Sequence, residues 1–489
     1  MLQQIATPLF VGFIVWLFAR DLRRRPEVSQ ASWLVLVWVV IFAARPVSSW
    51  LTSGPTTMSP DAYLEGNPLE RSISLILMGA AALILLRRGL PLSDLIARNT
   101  WLFAFFGYCL VSVLWSEYPF VAFKRFSKDF GNVIIVLVLL TEKAPVEAIK
   151  ATFVRCAYLL VPLSVLFIRY IPELGRVYTG WNGADRMFVG VATHKNTLGA
   201  LLMVSSAFLV WDMVSRRGEA GNTRLKFGWM DQAVVLGMAI WLLAITNSAT
   251  SLFCTVLITA LFFLTGTSMF KKRLRLIEVY GLVLGGLWFA LDSMFHLTEL
   301  VVLSLGRDMT FTTRTDAWEI VLAMQDRPFL GAGFKSFWSG DRMVRLWEQL
   351  PGIVQAHSGY VELYLNGGMV GLAFLTGMLL SGFRKIKRQL MDGDDYSRVR
   401  LGFWVIALVY NFSEASFNQL SLLWIVTLLV IAEGPAVARM AMPLARPLVP
   451  TAPPILSPYA PRRAYQQLQG RAPTPVDRRH SGDISQPLG

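Results

Sequence analysis

The chain has 489 residues and only four histidines, His194, His296, His357 and His480. Two of them stand where a long polar stretch runs into an apolar one. The first is Arg186-Met-Phe-Val-Gly-Val-Ala-Thr-His194-Lys195-Asn196-Thr197-Leu198-Gly199. Asn196 or Thr197 is of the right type to cap a helix beginning near Leu198. The free amides and dipole of such a helix favour an anion beyond the cap, and Arg186, His194 and Lys195 add positive charge there. Two readings fit: a phosphate or diphosphate site at the membrane–water boundary, or an ordinary helix cap whose cations meet lipid headgroups.

The second constellation is Gly306-Arg307-Asp308 followed by Arg314-Thr315-Asp316-Ala317-Trp318. Arg314 and Trp318 are four apart and share a helix face. A guanidinium fork suits phosphate oxygens, and an aromatic face suits the apolar side of a sugar ring. A local Arg–Trp stack explains the pair equally well. The third is Ala356-His357-Ser358-Gly359-Tyr360-Val361-Glu362-Leu363-Tyr364. A neutral His357 can accept or aim the proton of an attacking hydroxyl, or it is a satisfied structural histidine. On a helix Glu362 lies about 140° from it, so it does not orient the ring.

Two further groups stand out. Lys124, Arg125 and Lys128 follow Trp115-Ser116-Glu117; either they reach an anionic ligand or the boundaries of the adjacent spans lie elsewhere. Asn411-Phe-Ser413-Glu414-Ala-Ser416 is a polar cluster within an apolar stretch, and an intramembrane carboxylate is a functional-site hypothesis by default. Asp392-Gly-Asp394 has the spacing of a metal-binding Asp-x-Asp, but it lies in a basic loop away from the other clusters. No Gly-rich phosphate loop ending in Lys-Ser/Thr occurs. Cys109, Cys156 and Cys254 form no ligand pattern and read as core thiols, so no metal or cofactor is expected.

The elements that must position these residues are apolar. Fifty-four per cent of the chain is hydrophobic and 16% charged, with a mean hydropathy of +0.50. Soluble domains carry about 25% charged residues, so a soluble enzyme, a disordered protein and a disulfide-stapled domain are excluded. The expected class is an all-α polytopic membrane protein with about 12–13 transmembrane helices and a large outward loop before the late ones. Expected spans lie near 5–19, 32–49, 72–86, 101–116, 130–141, 157–170, 198–214, 232–246, 251–267, 276–294, 358–380, 401–415 and 419–434. The net charge of +14 is gathered in clusters such as Arg23-Arg24-Arg25, Arg87-Arg88, Lys271-Lys272-Arg273 and Arg384 to Arg388. They follow the positive-inside rule rather than marking nucleic-acid binding. Residues 50–70, 117–128, 171–197, 246–250, 295–357 and 412–418 then fall on the outer side, the two long loops 171–197 and 295–357 being folded parts of a bundle over residues 1–440. Residues 441–489 hold ten of the 24 prolines and little aliphatic content, as expected of a disordered cytoplasmic tail.

Taken together, His194-Lys195-Asn196-x-Leu198-Gly199, the Gly-Arg-…-Arg-x-x-x-Trp segment and His357-x-Gly-Tyr-x-Glu-…-Gly-x-x-Gly resemble the O-antigen ligase and polymerase superfamily of bacterial envelope glycosyltransferases. Thr246 to Ser251 and Trp115-Ser116-Glu117-Tyr-Pro119 also look like that family, and the pattern is most similar to its exopolysaccharide-polymerising, ExoQ-type branch. The resemblance covers residues 70–435. It implies a membrane glycosyltransferase of the bacterial inner membrane with its active site facing the periplasm. It implies lipid-linked, undecaprenyl-diphosphate-bound sugars as donor and acceptor, with no nucleotide sugar or metal.

Carried over by motif, Arg186, Arg314 and His357 are the implied catalytic residues. Arg307 joins them in the implied substrate site, beside His194, Lys195, Asn196, Trp318, Glu362, Lys124, Arg125 and Glu414. Where many members have Asn after the histidine, this chain has Ser358. The expected activity is polymerisation of lipid-linked repeat units by inverting, metal-independent transfer, with chain-length or export proteins as partners and no nucleic acid. The rivals are a ligase moving finished polysaccharide onto a lipid A core or protein, and a non-catalytic exporter, which would be expected to carry broken helices or related halves. Since the tail cannot build a core, truncation after Met442 should leave membrane abundance and activity unchanged, as read by immunoblot and polymer yield.

Overall fold

The computed structural model describes residues 2–51, 66–179, 185–219, 229–273, 276, 278, 314–350 and 352–435, with the backbone alone at 179, 185, 217–219, 271, 272 and 314–316. They all lie in one compact unit, Met1–Met442. Arg307, His296, most of the expected span 276–294 and the tail 441–489 fall outside the described residues.

The chain is an all-α polytopic membrane protein. Its principal helices are α1 (Leu2–Arg24), α2 (Ala31–Ala43), α3 (Pro68–Arg87), α4 (Leu92–Arg98), α5 (Thr100–Val111), α6 (Pro119–Leu140), α7 (Pro145–Tyr170), α8 (Lys195–Glu219), α9 (Met230–Thr246) and α10 (Ala249–Thr265). They continue with α11 (Arg314–Ala323), α12 (Gly340–Gln349), α13 (Gly359–Met391), α14 (Asp395–Ser413) and α15 (Leu422–Ile431). Among the described residues the one sheet is an antiparallel hairpin, β1 (Arg176–Thr179) with β2 (Asp185–Phe188), pairing Tyr178 with Arg186. Among the described residues five helices, α1, α3, α7, α8 and α13, are long and apolar enough to cross a membrane, and α4 with α5 makes a sixth, bent by 95°. The apolar helices α2, α9, α10 and α15 are shorter than 18 residues, so a count of 12–13 depends on them and on residues outside those described.

Burial differs sharply among the long helices. In α1 and α3 only 17% and 11% of the apolar window is buried, against 83% in α7. Apolar faces left open suit a lipid surround, which solvates them as well as a core would. Helix α7 is the central post, touching α1, α2, α8 and α9.

Every break in a membrane helix frees backbone groups that need partners. At the α4–α5 bend Asn99 supplies them: Nδ2 donates to the Leu95 and Glu433 carbonyls, each at 2.9 Å, and Oδ1 accepts from the Glu433 amide at 2.9 Å. Helix α13 breaks at Gly368, where φ is +62° and ψ −163°. There the segment 328–333 runs alongside and pairs through Met369 N to Pro328 O (2.9 Å), Val370 N to Phe329 O (3.1 Å), Ala332 N to Leu365 O (3.0 Å) and Gly333 N to Asn366 O (3.0 Å). A Cβ on Gly368 would lie 2.3 Å from the Phe329 carbonyl oxygen, and one on Gly331 2.4 Å from the Asn366 backbone. Only glycine permits that approach. The described part of the loop 295–357 has its own apolar core, built on Val321, Phe337, Trp338, Leu346 and Leu365.

The cluster Arg23–Arg25, assigned to one side by the positive-inside rule, is partly buried: the Arg25 side chain is only 1% exposed. Asp21, Glu147 and Asp212 surround its guanidinium at 3.0, 2.8 and 2.7 Å. Arg155 joins through Asp21 at 2.7 Å, and Arg24 pairs with buried Asp231 at 2.8 Å. Burial by itself would lower the Arg25 pKa, but the carboxylates of Asp212, Asp21 and Glu147 reverse this and hold it above its ordinary value. Asp21 is local, four residues before Arg25, but Glu147 and Asp212 come from α7 and α8, so those pairings are invisible in the local run of arginines. Removing one partner strands the buried charges, and Asp21→Ala should destabilise by about 3–5 kcal/mol. Asp94→Ala, which breaks the more open Asp94–Arg98 pair, should cost within about 1 kcal/mol. Thermal unfolding of the two variants in the same detergent checks the difference.

Candidate active site

Six separated stretches of chain close around one cavity of about 790 Å³. Its wall takes Phe42, Ala43, Ala44 and Pro46 at the end of α2, Asn67, Glu70 and Arg71 at the start of α3, Lys124, Arg125 and Lys128 of α6, and Thr193, His194, Asn196 and Thr197 at the start of α8. Lys335, Gln355 and His357 come from the loop before α13, and Tyr410 to Leu423 from the α14–α15 connection. These stretches largely coincide with the segments that the charge pattern assigns to one side. The lining combines apolar Ile41, Phe42, Leu422 and Leu423 with five cations, Arg71, Lys124, Arg125, Lys128 and Lys335, and two carboxylates, Glu70 and Glu414.

His357 is not on the helix. It lies two residues before Gly359, the first residue of α13, in the left-handed region at φ +50°. Non-glycine residues are uncommon there and need surroundings that hold them. The preceding residue, Ala356, is clamped from both sides. Its N–H donates to Glu362 Oε2 at 3.0 Å, and its carbonyl accepts from Trp318 Nε1 at 2.6 Å. Glu362 is buried and also accepts from Trp338 Nε1 at 2.7 Å and Asn366 Nδ2 at 3.1 Å. Thus Trp318 and Glu362 are outside the main cavity wall but hold the turn that carries His357. After it, the Ser358 hydroxyl donates to Asn411 O at 3.2 Å and the Gly359 amide to Glu414 O at 3.2 Å. On the cavity side, Gln355 Nε2 lies 3.5 Å from His357 Nδ1.

Asn411 organises the opposite wall. Its Oδ1 accepts from the amides of Ser416 and Phe417, both at 2.8 Å, and its Nδ2 donates to Ala407 O at 2.7 Å and to Ser416 Oγ at 2.8 Å. That turn presents Glu414, whose Oε1 accepts from Asn196 Nδ2 at 2.6 Å. Helix α8 begins at Lys195, earlier than expected. The His194 ring, not Asn196 or Thr197, serves as its cap, with Nδ1 accepting from the Asn196 amide at 3.2 Å. An Nδ1 that accepts leaves Nε2 as the protonated nitrogen of a neutral ring. Arg45 fastens the stretch before it, donating to the Leu174, Gly190 and Ala192 carbonyls at 2.6, 2.7 and 3.2 Å. Partial burial lowers its pKa from the ordinary value.

Of the residues expected in the site, His357, His194, Asn196, Lys124, Arg125 and Glu414 come together on this wall. Lys195 starts α8 without lining the cavity. Arg186 stands on the exposed face of β2, with its guanidinium 5.0 Å from the Phe188 ring centre. Arg314 opens α11, its side chain outside the described ones, and Arg307 is outside them altogether. Residues not singled out beforehand are Arg71, Glu70, Lys335, Gln355 and Gln419. Lys335 is also left-handed, at φ +47°, and its Nζ lies 3.3 Å from buried Asp129. Its carbonyl accepts from Arg125. The one signal for it was the Gly331-Ala-Gly333 turn ahead of it. Among the described residues no three His, Cys, Asp or Glu side chains gather as metal ligands.

A lining that joins histidine, cations and apolar residues is what a lipid-borne anionic substrate would need, and comparison with known proteins agrees with the resemblance read from the motifs. Residues 233–376 match the O-Antigen ligase family. The matched stretch includes Lys335, Gln355 and His357. The chain is also similar to "Exopolysaccharide production protein ExoQ" of Rhizobium meliloti (strain 1021), 26% identical over 335 residues, which are 65% of this chain and 72% of that protein. Both findings support an O-antigen ligase/polymerase-type function for this multi-pass membrane protein. Since Asn411 satisfies two buried amides in the cavity wall, Asn411→Ala should cost about 1–3 kcal/mol for each donor left unpaired. The expected outcome is a lowered melting temperature in detergent together with reduced polymer yield.

Proposed function

We propose that the protein polymerises lipid-linked oligosaccharide repeat units into exopolysaccharide by inverting, metal-independent glycosyl transfer. The donor and acceptor are undecaprenyl-diphosphate-linked sugars, and the cavity faces the periplasm from the bacterial inner membrane. The observation that carries this reading is the cavity itself, whose lining joins five cations and two histidines with apolar Ile41, Phe42, Leu422 and Leu423. A lipid diphosphate has both chemistries, an isoprenoid chain for the apolar residues and two phosphates for the cations.

In the reaction an acceptor hydroxyl oxygen attacks the donor's anomeric carbon from the face opposite the leaving group. The bond from that carbon to the diphosphate oxygen breaks, and its electron pair leaves with the lipid diphosphate. The hydroxyl proton passes to a ring nitrogen of His357, acting as general base. Charge growing on the leaving diphosphate is stabilised by preorganised Lys124 and Lys128, whose positions cost nothing to arrange at the moment of reaction. Arg186, Arg307 and Arg314 enter this account through the resemblance alone, as further ligands of the diphosphate. Partners that set chain length or export the polymer fit the same role.

Ligation of finished polysaccharide to a lipid A core or protein is the second reading, favoured by the family match over residues 233–376. It shares donor and chemistry and differs only in acceptor. His357→Ala should lower transfer about 10²–10⁴-fold at unchanged membrane abundance. A polymerase so disabled accumulates single lipid-linked repeats, whereas a disabled ligase accumulates long lipid-linked chains. Extraction and sizing of the lipid-linked pool separates the two, and wild-type polymer from His357→Ala would overturn both.

A further inference from the structure

Behind the Arg125–Lys335 pair lies a second, smaller chamber of about 230 Å³. Arg125, Lys335, Gln355 and Gln419 line both spaces, and Trp338, Val354 and Glu362 close the far side. The chamber has a different chemistry from the main cavity. Lys335 Nζ is held 3.3 Å from Asp129, and Arg125 is tied to the Lys335 carbonyl and, at 3.3 Å, to Ser339 Oγ. Glu362 adds a carboxylate to the wall, its oxygens already taken by Trp338, Ala356 and Asn366. The charges are thus compensated, and an anion gains little by entering.

What remains for a ligand is two primary amides. Each amide offers donors and an acceptor in one plane, the pattern that adjacent hydroxyls satisfy. Trp338, itself buried and hydrogen-bonded to Glu362, adds only an edge of apolar wall beside them. At about 30 Å³ per water, the chamber equals some seven or eight waters. That accommodates one ring and excludes a diphosphate with its lipid.

The walls are also rigid in an uncommon way. Four non-glycine residues among those described are left-handed, Asn247, Lys335, His357 and Asn418. Asn247 is an ordinary helix C-cap. The other three are Lys335 itself, the neighbour of Gln419, and the histidine two residues after Gln355. Strained turns held by their surroundings fix side chains where recognition needs them.

We propose that this side chamber binds a single neutral sugar ring, read by Gln355 and Gln419 against Trp338, and so selects which saccharide is brought within reach of His357. The inference rests on the proposed function for its substrate class. Gln355 is the link between the two spaces, since it contributes to both walls and its amide faces the His357 ring.

The test uses full-length protein in detergent and fragments of one to four sugars, made by partial acid hydrolysis of the host's own surface polysaccharide. Saturation-transfer NMR and calorimetry should detect binding to the wild type. Val354→Phe, which fills the chamber, should abolish it, and Gln419→Ala should weaken it about tenfold. His357→Ala should leave binding intact while abolishing transfer. Fragments binding Val354→Phe and Gln419→Ala as they bind the wild type, at equal melting temperature, would overturn the subsite. So would a wild type that binds none of them. Fragment binding lost in Val354→Phe alongside normal polymer from His357→Ala would overturn the proposed function and leave the subsite standing.

Discussion

Backbone amides and carbonyls cannot be left bare in a hydrocarbon surround, and the site is built around the places where this chain has to obey that rule. The break at Gly368 is the chief of them. Its freed groups are met by residues 328–333, and that docking carries the following turn, with Lys335, against α6. The other end of the same helix begins just after His357. One broken span therefore sets the positions of both a cation and the histidine. Smaller breaks are sealed in the same manner by polar side chains: Asn99 at the α4–α5 bend, Asn411 between α14 and α15, and Arg45 before α8.

The two ends of the bundle treat charge differently. At the Arg25 end, each buried guanidinium has its carboxylates, so the cluster is close to neutral and fastens α1 to α7, α8 and α9. At the cavity the cations outnumber the carboxylates. A compensated cluster stabilises relative arrangement and gains nothing from a ligand, whereas an excess of positive charge in a low-dielectric cleft is completed by an anion. A sequence reader sees both as runs of Arg and Lys. Their difference lies in partners supplied by remote helices.

That distinction marks how far the sequence could be read. Class, helical spans and the gathering of His194, Asn196, His357, Lys124, Arg125 and Glu414 were legible, because apolar run length and side-chain type are local properties. Lys335 was not, since its place depends on a left-handed turn docked on a helix break in another part of the chain. Glu362 was weighed as a partner of His357 on one helix; the structure has it bracing Ala356 instead, because the helix starts at Gly359 and leaves the histidine outside it. The cap of α8 lies a few residues earlier than expected for a similar reason: histidine is not a usual cap, yet its Nδ1 accepts from the backbone amide of Asn196.

The cavity wall begins at residue 41 and ends at residue 423. Such a wall has no early, partly working form. A chain emerging from the ribosome makes its first lining residues long before its last, and the α14–α15 turn that supplies Glu414 arrives near the end. Until then the cations of α6 have no opposite wall. The catalytic space is thus among the last features to exist during synthesis. A chain interrupted before the α14–α15 turn lacks Glu414 and the last part of the cavity lining.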